Sequence, residues 1–260
     1  MDNFTKKYGP WALVAGASEG IGAAFAWQLA AKGLNLLLLA RRLEKLEALA
    51  ANIKTKHNVD IRCIQVDLGN LAKIQALTDS FTEEIGLLIY NAAYSPIGPF
   101  ATRSEEDLLK VADVNVKAPL VLAKRLSQKM IARNGGGIVF MSSLAGMQGS
   151  PKIATYAASK AFNVVLAEGL WSELKPHNID VLACIAGAVR TPGYNSVSQQ
   201  KDAPGTLNAD QVVAKTLKAL GNGPTIVPGW INKIARFFMG HILTRKAGIL
   251  IMNKNTKDLI

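Results

Sequence analysis

The chain has little with which to build a disulfide framework or a metal centre. It has only two cysteines, Cys63 and Cys184, both inside apolar segments of strand character. They read as small core residues rather than as a bridge or ligands. The three histidines, His57, His177 and His241, lie far apart, and none falls in a His-Glu-x-x-His spacing. No protein-bound catalytic metal is therefore expected. Long hydrophobic runs are missing as well. Near the start the longest is 36–40, far too short to cross a bilayer. Residues 1–8 are polar and unlike a secretory leader. A soluble, cytoplasmic protein in a reducing compartment is the expectation. The ten prolines are scattered, and no stretch is biased enough to be a disordered tail.

Acidic residues are also in short supply: 19 Asp and Glu against 30 Lys and Arg, a formal net charge of +11. A basic surface suits nucleic acid, anionic lipid or an acidic small ligand. Here the cations are dispersed, without a basic arm or a nucleic-acid-binding motif, so no nucleic-acid partner is expected. Apolar residues, by contrast, make up 49% of the chain and charged residues only 19%. That is enough for a substantial core or for surfaces covered in an oligomer.

Residues 11–14 are a short apolar strand running into Ala15-Gly16-Ala17-Ser18-Glu19-Gly20-Ile21-Gly22. Helical spacing follows over 22–32, with Phe25, Ala26 and Leu29 on one side and Gly33 as terminator. Residues 34–39 are an almost unbroken apolar strand, as expected where helices cover both faces of a sheet. Residues 42–56 return to helix, with Leu43, Leu46, Leu49, Ala50 and Ile53 in one stripe. Further strands are predicted over 60–66, 87–90, 137–141, 179–184 and 225–227. Helices are predicted over 71–84, 104–114, 119–133, 154–175 and 208–220. This alternation calls for a doubly wound α/β fold: a mostly parallel, seven-stranded sheet with helices on both faces. Nothing divides the chain, so residues 1–260 are expected to form one domain.

A strand, a glycine-rich turn and a helix together offer free backbone N–H groups to a pyrophosphate at the helix N-terminus. Gly16 allows the tight turn, and Gly20 and Gly22 let backbone approach ligand and sheet without a side chain between. The end of the second strand bears on which dinucleotide binds. An NAD site wants a carboxylate there for the ribose hydroxyls, yet this chain has Ala40-Arg41-Arg42. A guanidinium pairs with a 2′-phosphate in a fork. NADP(H) is thus favoured over NAD(H), with Arg41 the first contact and Arg42 the second.

Tyr156 and Lys160 are four residues apart in a predicted helix and project from one face. A phenol near pKa 10 is a poor acid-base group at neutral pH, and a neighbouring ammonium favours its phenolate. Ser143 follows the strand 137–141, at the edge where ligands of open α/β sheets collect. Its hydroxyl is suited to hold a substrate oxygen as charge develops there.

On these residues the chain resembles the short-chain dehydrogenase/reductase family over nearly its whole length, which implies a single Rossmann-type domain. Gly16, Gly20 and Gly22 match the family's cofactor glycines, with Ala15 in place of the usual threonine. Asp67 matches the acidic residue near the adenine. Asn91-Ala92-Ala93 is similar to the Asn-Ala-Gly segment after the fourth strand. Asn115, Ser143, Tyr156 and Lys160 match the catalytic set, and Ala186-Gly187-Ala188-Val189-Arg190-Thr191 resembles the segment that holds the nicotinamide. The resemblance implies cofactor contacts from Gly16, Ser18, Glu19, Gly20, Ile21, Gly22, Arg41, Arg42, Asp67, Leu68, Asn91, Ala92, Tyr156, Lys160, Gly187, Val189 and Thr191. It also implies hydride transfer between cofactor and a carbonyl carbon while Tyr156 moves the proton, Ser143 stabilises the oxygen, and Lys160 tunes Tyr156 and links to Asn115 through water.

The family resemblance extends to members acting on lipophilic ketones, including hydroxysteroid and long-chain 3-ketoacyl reductases. A ketone or secondary alcohol of that kind is the expected substrate. A reductase of 3-oxoacyl thioesters or small polar ketones is one alternative, and a non-catalytic dinucleotide-binding protein is another. Loop 192–206 is expected to close over substrate, and Tyr94, Ile97 and Phe100 to line the pocket or pack a surface loop. Residues 230–243 mix Trp230, Ile231, Ile234, Phe237, Phe238 and Ile242 with Lys233, Arg236 and His241, a spacing that supports an amphipathic helix. For segment 228–260, substrate cover or subunit contact is favoured over peripheral membrane contact. By resemblance, a homodimer or homotetramer is expected through helices around 107–133 and 154–175.

Overall fold

The computed structural model of the protein describes residues 3–195 and 202–256. A short helix, α1 (Asn3–Tyr8), precedes the first strand, β1 (Trp11–Ala15). Helices and strands then alternate: α2 (Gly20–Ala31), β2 (Asn35–Ala40), α3 (Leu43–Lys54), β3 (Ile61–Gln65), α4 (Leu71–Asp79) and β4 (Ile85–Tyr90). Next come α5 (Glu105–Ala112), a π-helical turn (Asp113–Lys117), α6 (Ala118–Ala132), β5 (Gly136–Ser143) and α7 (Ala154–Leu174). The last third holds β6 (Ile179–Ala186), β7 (Val189–Arg190), α8 (Pro192–Asn195), β8 (Leu207–Asn208), α9 (Ala209–Ala219) and β9 (Thr225–Ile226). Two helices, α10 (Trp230–Phe237) and α11 (Arg245–Thr256), close the described chain, with a π-helical turn (Phe238–Ile242) extending α10.

Seven strands form one sheet in the order β3-β2-β1-β4-β5-β6-β9, and every neighbouring pair is parallel. The strand period of two sorts the side chains between two cores. Val14, Leu36, Leu38, Ile89 and Val139 face Phe25 and Leu29 of α2, Leu46 of α3 and Val213 of α9. Leu13, Leu37, Leu39, Leu88 and Phe140 face Ile74 of α4, Leu122 and Leu126 of α6 and Ala167 of α7. This is the doubly wound arrangement that the unbroken apolar strands imply. The connections after β1 and β4 leave toward opposite faces, which opens a crevice at the carboxyl ends of these two strands.

Several local features differ from the sequence expectation. Helices 104–114 and 119–133 are joined through the π-helical turn instead of being separated by a loop. Strands β7 and β8 form a second, two-stranded parallel sheet, and α1 and α11 are additional helices. Of the expected closing loop, residues 196–201 lie outside the described residues. Its two arms are tied together: Arg190 pairs with Asp202 at 2.6 Å, and Ala203 N–H donates to the Tyr194 hydroxyl at 3.1 Å.

The β1–α2 turn depends on the absence of a side chain at Gly22. A Cβ there would meet the Gly16 carbonyl oxygen at 2.0 Å, and that oxygen also accepts from Asn91 Nδ2 at 2.9 Å. Gly22→Ala should therefore lower stability by about 3 kcal/mol, a fall of roughly 6–12 °C in melting temperature by calorimetry. Gly169→Ala, in open space on α7, should instead raise it slightly. An unchanged melting temperature for Gly22→Ala would show that the turn moves aside at little cost.

Candidate active site

A cleft of about 800 Å³ runs across the carboxyl edge of the sheet. At one end is the glycine turn. Gly16 has φ 83°, and a Cβ on it would meet the Ala92 backbone at 2.7 Å. The first residue of α2 follows Glu19, whose side chain makes no capping bond. The free N–H groups of this helix end thus open onto the cleft together with Ser18, Gly20 and Ile21.

Arg41 and Arg42 both border this end, in different states. Arg42 is engaged: it pairs with Glu19 at 3.0 Å and donates to Ser18 Oγ at 3.3 Å. Lys45 also holds Glu19, at 2.9 Å, and these cations keep its carboxyl below the usual carboxylate range. The Arg41 guanidinium has no hydrogen-bond or ion-pair partner among the described residues, while Gln65 Nε2 donates to its backbone carbonyl at 2.9 Å. Asp67, Leu68, Asn91 and Ala92 continue the wall. An uncapped helix end, a cradle that a Cβ would fill and an uncommitted guanidinium fit the phosphates of a nicotinamide dinucleotide. Gly16, Ser18, Gly20, Ile21 and Arg41 would hold its phosphates.

Ser143 and Tyr156 meet near the middle of the cleft. The Ser143 hydroxyl beside the Tyr156 phenol draws its pKa down, against a larger upward push from burial. Tyr156 therefore stays above its ordinary value. Lys160 Nζ lies 5.5 Å from the centre of the Tyr156 ring and donates to the Met141 carbonyl at 2.8 Å. Burial pulls the Lys160 amine down to about 8, with Cys184 opposing this. Ser143 is thus placed to favour the phenolate directly, and the Lys160 amine, held by a carbonyl, lies over the ring.

Asn115 is wholly buried in the π-helical turn. Its Oδ1 accepts from Tyr94 N–H at 2.8 Å, while its Nδ2 donates to the Tyr94 carbonyl at 2.9 Å and to Ser159 Oγ at 3.0 Å. The Ser159 hydroxyl donates onward to the Tyr156 carbonyl at 2.7 Å. A π turn carries one extra residue and so shifts the helix register locally. The hydroxyl of the buried Tyr90 bonds to the Val114 carbonyl within that turn. Asn115 thus braces the backbone beneath Tyr94 and Tyr156 from behind the cleft wall.

Gly187 and Thr191 line the cleft where the resemblance implies nicotinamide contacts. Val189 does not: its side chain is 6% exposed and packs in the core, since β7 pairs with β8 and turns it inward. Any contact from Val189 is left to its backbone. Gly22 and Lys160 also lie behind the surface that the cleft presents. Tyr94 and Ile97 line the cleft, whereas Phe100 is 62% exposed on a surface turn away from it.

The far end of the cleft is apolar, with Leu144, Ile153, Pro204, Met239 and Met252. The methionines come from the two C-terminal elements, which thereby contribute to the cleft wall. Sequence reasoning missed both, since a single methionine carries no positional signal. Ser142 was also passed over: its Oγ donates to the Lys160 carbonyl at 2.8 Å.

Comparison with known proteins agrees with this geometry. The profile of the short chain dehydrogenase family matches residues 10–202. The very-long-chain 3-oxoacyl-CoA reductase of Phaeosphaeria nodorum is 32% identical, over 94% of this chain and 74% of that protein. The 7β-hydroxysteroid dehydrogenase of Clostridium sardiniense is 30% identical, over 89% of this chain and 90% of that protein. A structure solved for the stereoselectivity of 7β-hydroxysteroid dehydrogenase superposes with a TM-score of 0.90 at 26% identity, covering 96% of this chain and 99% of that one. A short-chain dehydrogenase from Sphingobium yanoikuyae, solved with NADPH, gives 0.76 at 30% identity, over 84% and 87%. By the family profile and these relatives, the chain belongs to the short chain dehydrogenase family and is an NAD(P)-dependent oxidoreductase acting on a ketone or alcohol.

Proposed function

We propose that this protein uses NADP(H) to reduce a lipophilic ketone, steroid-like or long-chain, or to oxidise the corresponding secondary alcohol. The observation that carries this reading is one cleft with two unlike ends: a side-chain-free anion cradle beside Arg41, and an apolar arm of Leu144, Ile153, Met239 and Met252. The hydroxyls of Ser143 and Tyr156 lie between them. A lipophilic substrate gains burial in such an arm at roughly 25 cal/mol per Å² of apolar surface. Relatives named for very-long-chain 3-oxoacyl-CoA and for 7β-hydroxysteroids support a greasy substrate, and the NADPH complex of the Sphingobium relative supports the cofactor. A 3-oxoacyl thioester is the second reading, favoured by the fungal relative. A homodimer or homotetramer is supported by exposed Leu109, Leu120, Ile131 and Val165 on α5, α6 and α7.

The bound nicotinamide would supply or accept the hydride. Tyr156 gives its proton to the carbonyl oxygen in reduction and takes one from the alcohol in oxidation. Ser143 donates to the same oxygen as negative charge gathers there. Lys160, buried behind the ring, holds positive charge near the phenol while it is protonated. Asn115 and Ser159 fix the backbone that carries both residues.

Tyr156→Phe should lower turnover by about 10²–10⁴-fold while leaving dinucleotide affinity, read by fluorescence titration, nearly unchanged. Wild-type turnover in that variant would remove Tyr156 from the chemistry. Arg41→Glu should weaken NADP(H) by roughly tenfold or more, the worth of a charge-assisted bond, and NAD(H) much less. An equal loss for both would leave Arg41 without a phosphate role. The Lys160 amine is charged below about pH 8 and neutral above it. Reduction should therefore slow as pH rises through that range. Lys160→Met should be slow throughout and lack that limb; a variant profile that keeps it would assign the titration to another group. A screen of both dinucleotides against ketosteroids, 3-oxoacyl thioesters and small diketones tests the substrate class.

A further inference from the structure

Helix α10 is oriented against its own polarity. Asn232 is its buried side chain, 3% exposed, with Nδ2 donating to the carbonyls of Pro228 at 2.9 Å and Gly205 at 3.1 Å. The cleft-facing side continues with Ala235 and Met239. Trp230, Ile234, Phe237, Phe238 and Ile242, which share one helical face by spacing, stand outward, and Trp230 is 71% exposed. Nine of the fourteen large apolar side chains exposed among the described residues lie between Trp230 and Ile251. That concentration marks a patch rather than the scattered exposure ordinary to soluble surfaces.

The charged side chains carried by the patch's own elements have one sign. Between Asp210 and Asp258 the sequence has no acidic residue and eight lysines and arginines. Lys233, Arg245, Lys246 and Lys254 are exposed beside the apolar stripe. An apolar, aromatic face edged by cations is what an anionic bilayer surface takes up, with rings at headgroup level and Lys and Arg against lipid phosphates. A two-fold contact with a second copy would instead bring like charges together around the patch.

We propose that α10, the turn after it and α11 dock this protein on anionic membrane surfaces, and that the lipid-facing helices are also the cleft's cover. Ala235, Met239 and Met252 line the cleft from the inner side of the same elements. A lipophilic ketone leaving the bilayer beneath α10 therefore has a short apolar route to Tyr156. That delivery step rests on the substrate reading above, whereas docking does not, so a binding assay separates the two.

The test is pelleting of the full-length chain with sucrose-loaded vesicles of phosphatidylcholine alone or with about 30% phosphatidylserine. Binding should be at least roughly tenfold stronger with phosphatidylserine, fall with added salt, and shift Trp230 emission to the blue. Phe237→Ser with Phe238→Ser, and separately Lys233→Glu with Lys246→Glu, should each lose most of it while keeping the wild-type melting temperature. No pelleting with anionic vesicles, or equal pelleting with both kinds, overturns the proposal. So does a light-scattering mass that halves in the phenylalanine double variant without any vesicle binding, because the face is then a contact between copies.

Discussion

Two hydrogen bonds running in opposite directions between α7 and β5 fix the centre of this molecule. Lys160 donates its amine to the Met141 carbonyl, and Ser142 donates its hydroxyl to the Lys160 carbonyl. Residue 143, next along the strand, is thereby brought against residue 156, one turn back along the helix. The arrangement works against stability in one respect, since a buried amine resists its charged form, and the depressed Lys160 pKa records that resistance. The cost falls on the group beside the phenol proposed to move the proton, and perturbed pKa values tend to gather at such sites.

The same economy explains the acidic residue at the phosphate end. A carboxylate at a helix N-terminus meant for anions looks misplaced, yet Glu19 is divided between Arg42 and Lys45. It neutralises part of the positive field while holding Arg42 in place over Ser18. Arg41 is left uncommitted, and it is the guanidinium that the phosphate reading requires. The two adjacent arginines are thus chemically inequivalent. One organises the turn and the other is open to ligand.

Much of this was legible from the residues alone because the signals were strong and periodic. The run Leu36 to Leu39 reads as a strand covered on both faces, and the glycines between β1 and α2 sit where their backbone has to approach Ala92 and the Gly16 carbonyl. What was missed has physical reasons. Strands β7 and β8 are two residues each, too short for any alternation to register. The π-helical turn inserts one residue into a helix and leaves no compositional trace, although it is what brings Asn115 under Tyr94. Helix α11 carries Gly248 and a mixed apolar pattern, and it is specified by packing on the loop before α7, where Ile249 approaches Gly149. Phe100 takes the surface-turn alternative that its sequence left open, and Val189 turns its side chain to the core, which leaves only its backbone for a contact.

The C-terminal segment joins the two ends of the argument. An amphipathic pattern states that one face will be apolar, but not which way that face will turn. Here a single amide decides it. Asn232 finds carbonyl partners on the inner side, at Pro228 and Gly205, that no apolar residue would satisfy, and a Cβ on Gly187 would come within 2.6 Å of its Oδ1. Burying that polar group with its bonds made is acceptable, while burying it without them is costly. Once Asn232 is seated inward, the helical period obliges Trp230, Ile234 and Phe237 to face outward. The outward apolar face thus follows from the same contact that lodges the helix against Gly187, so the shape of the cleft and the character of the outer surface are set by one residue.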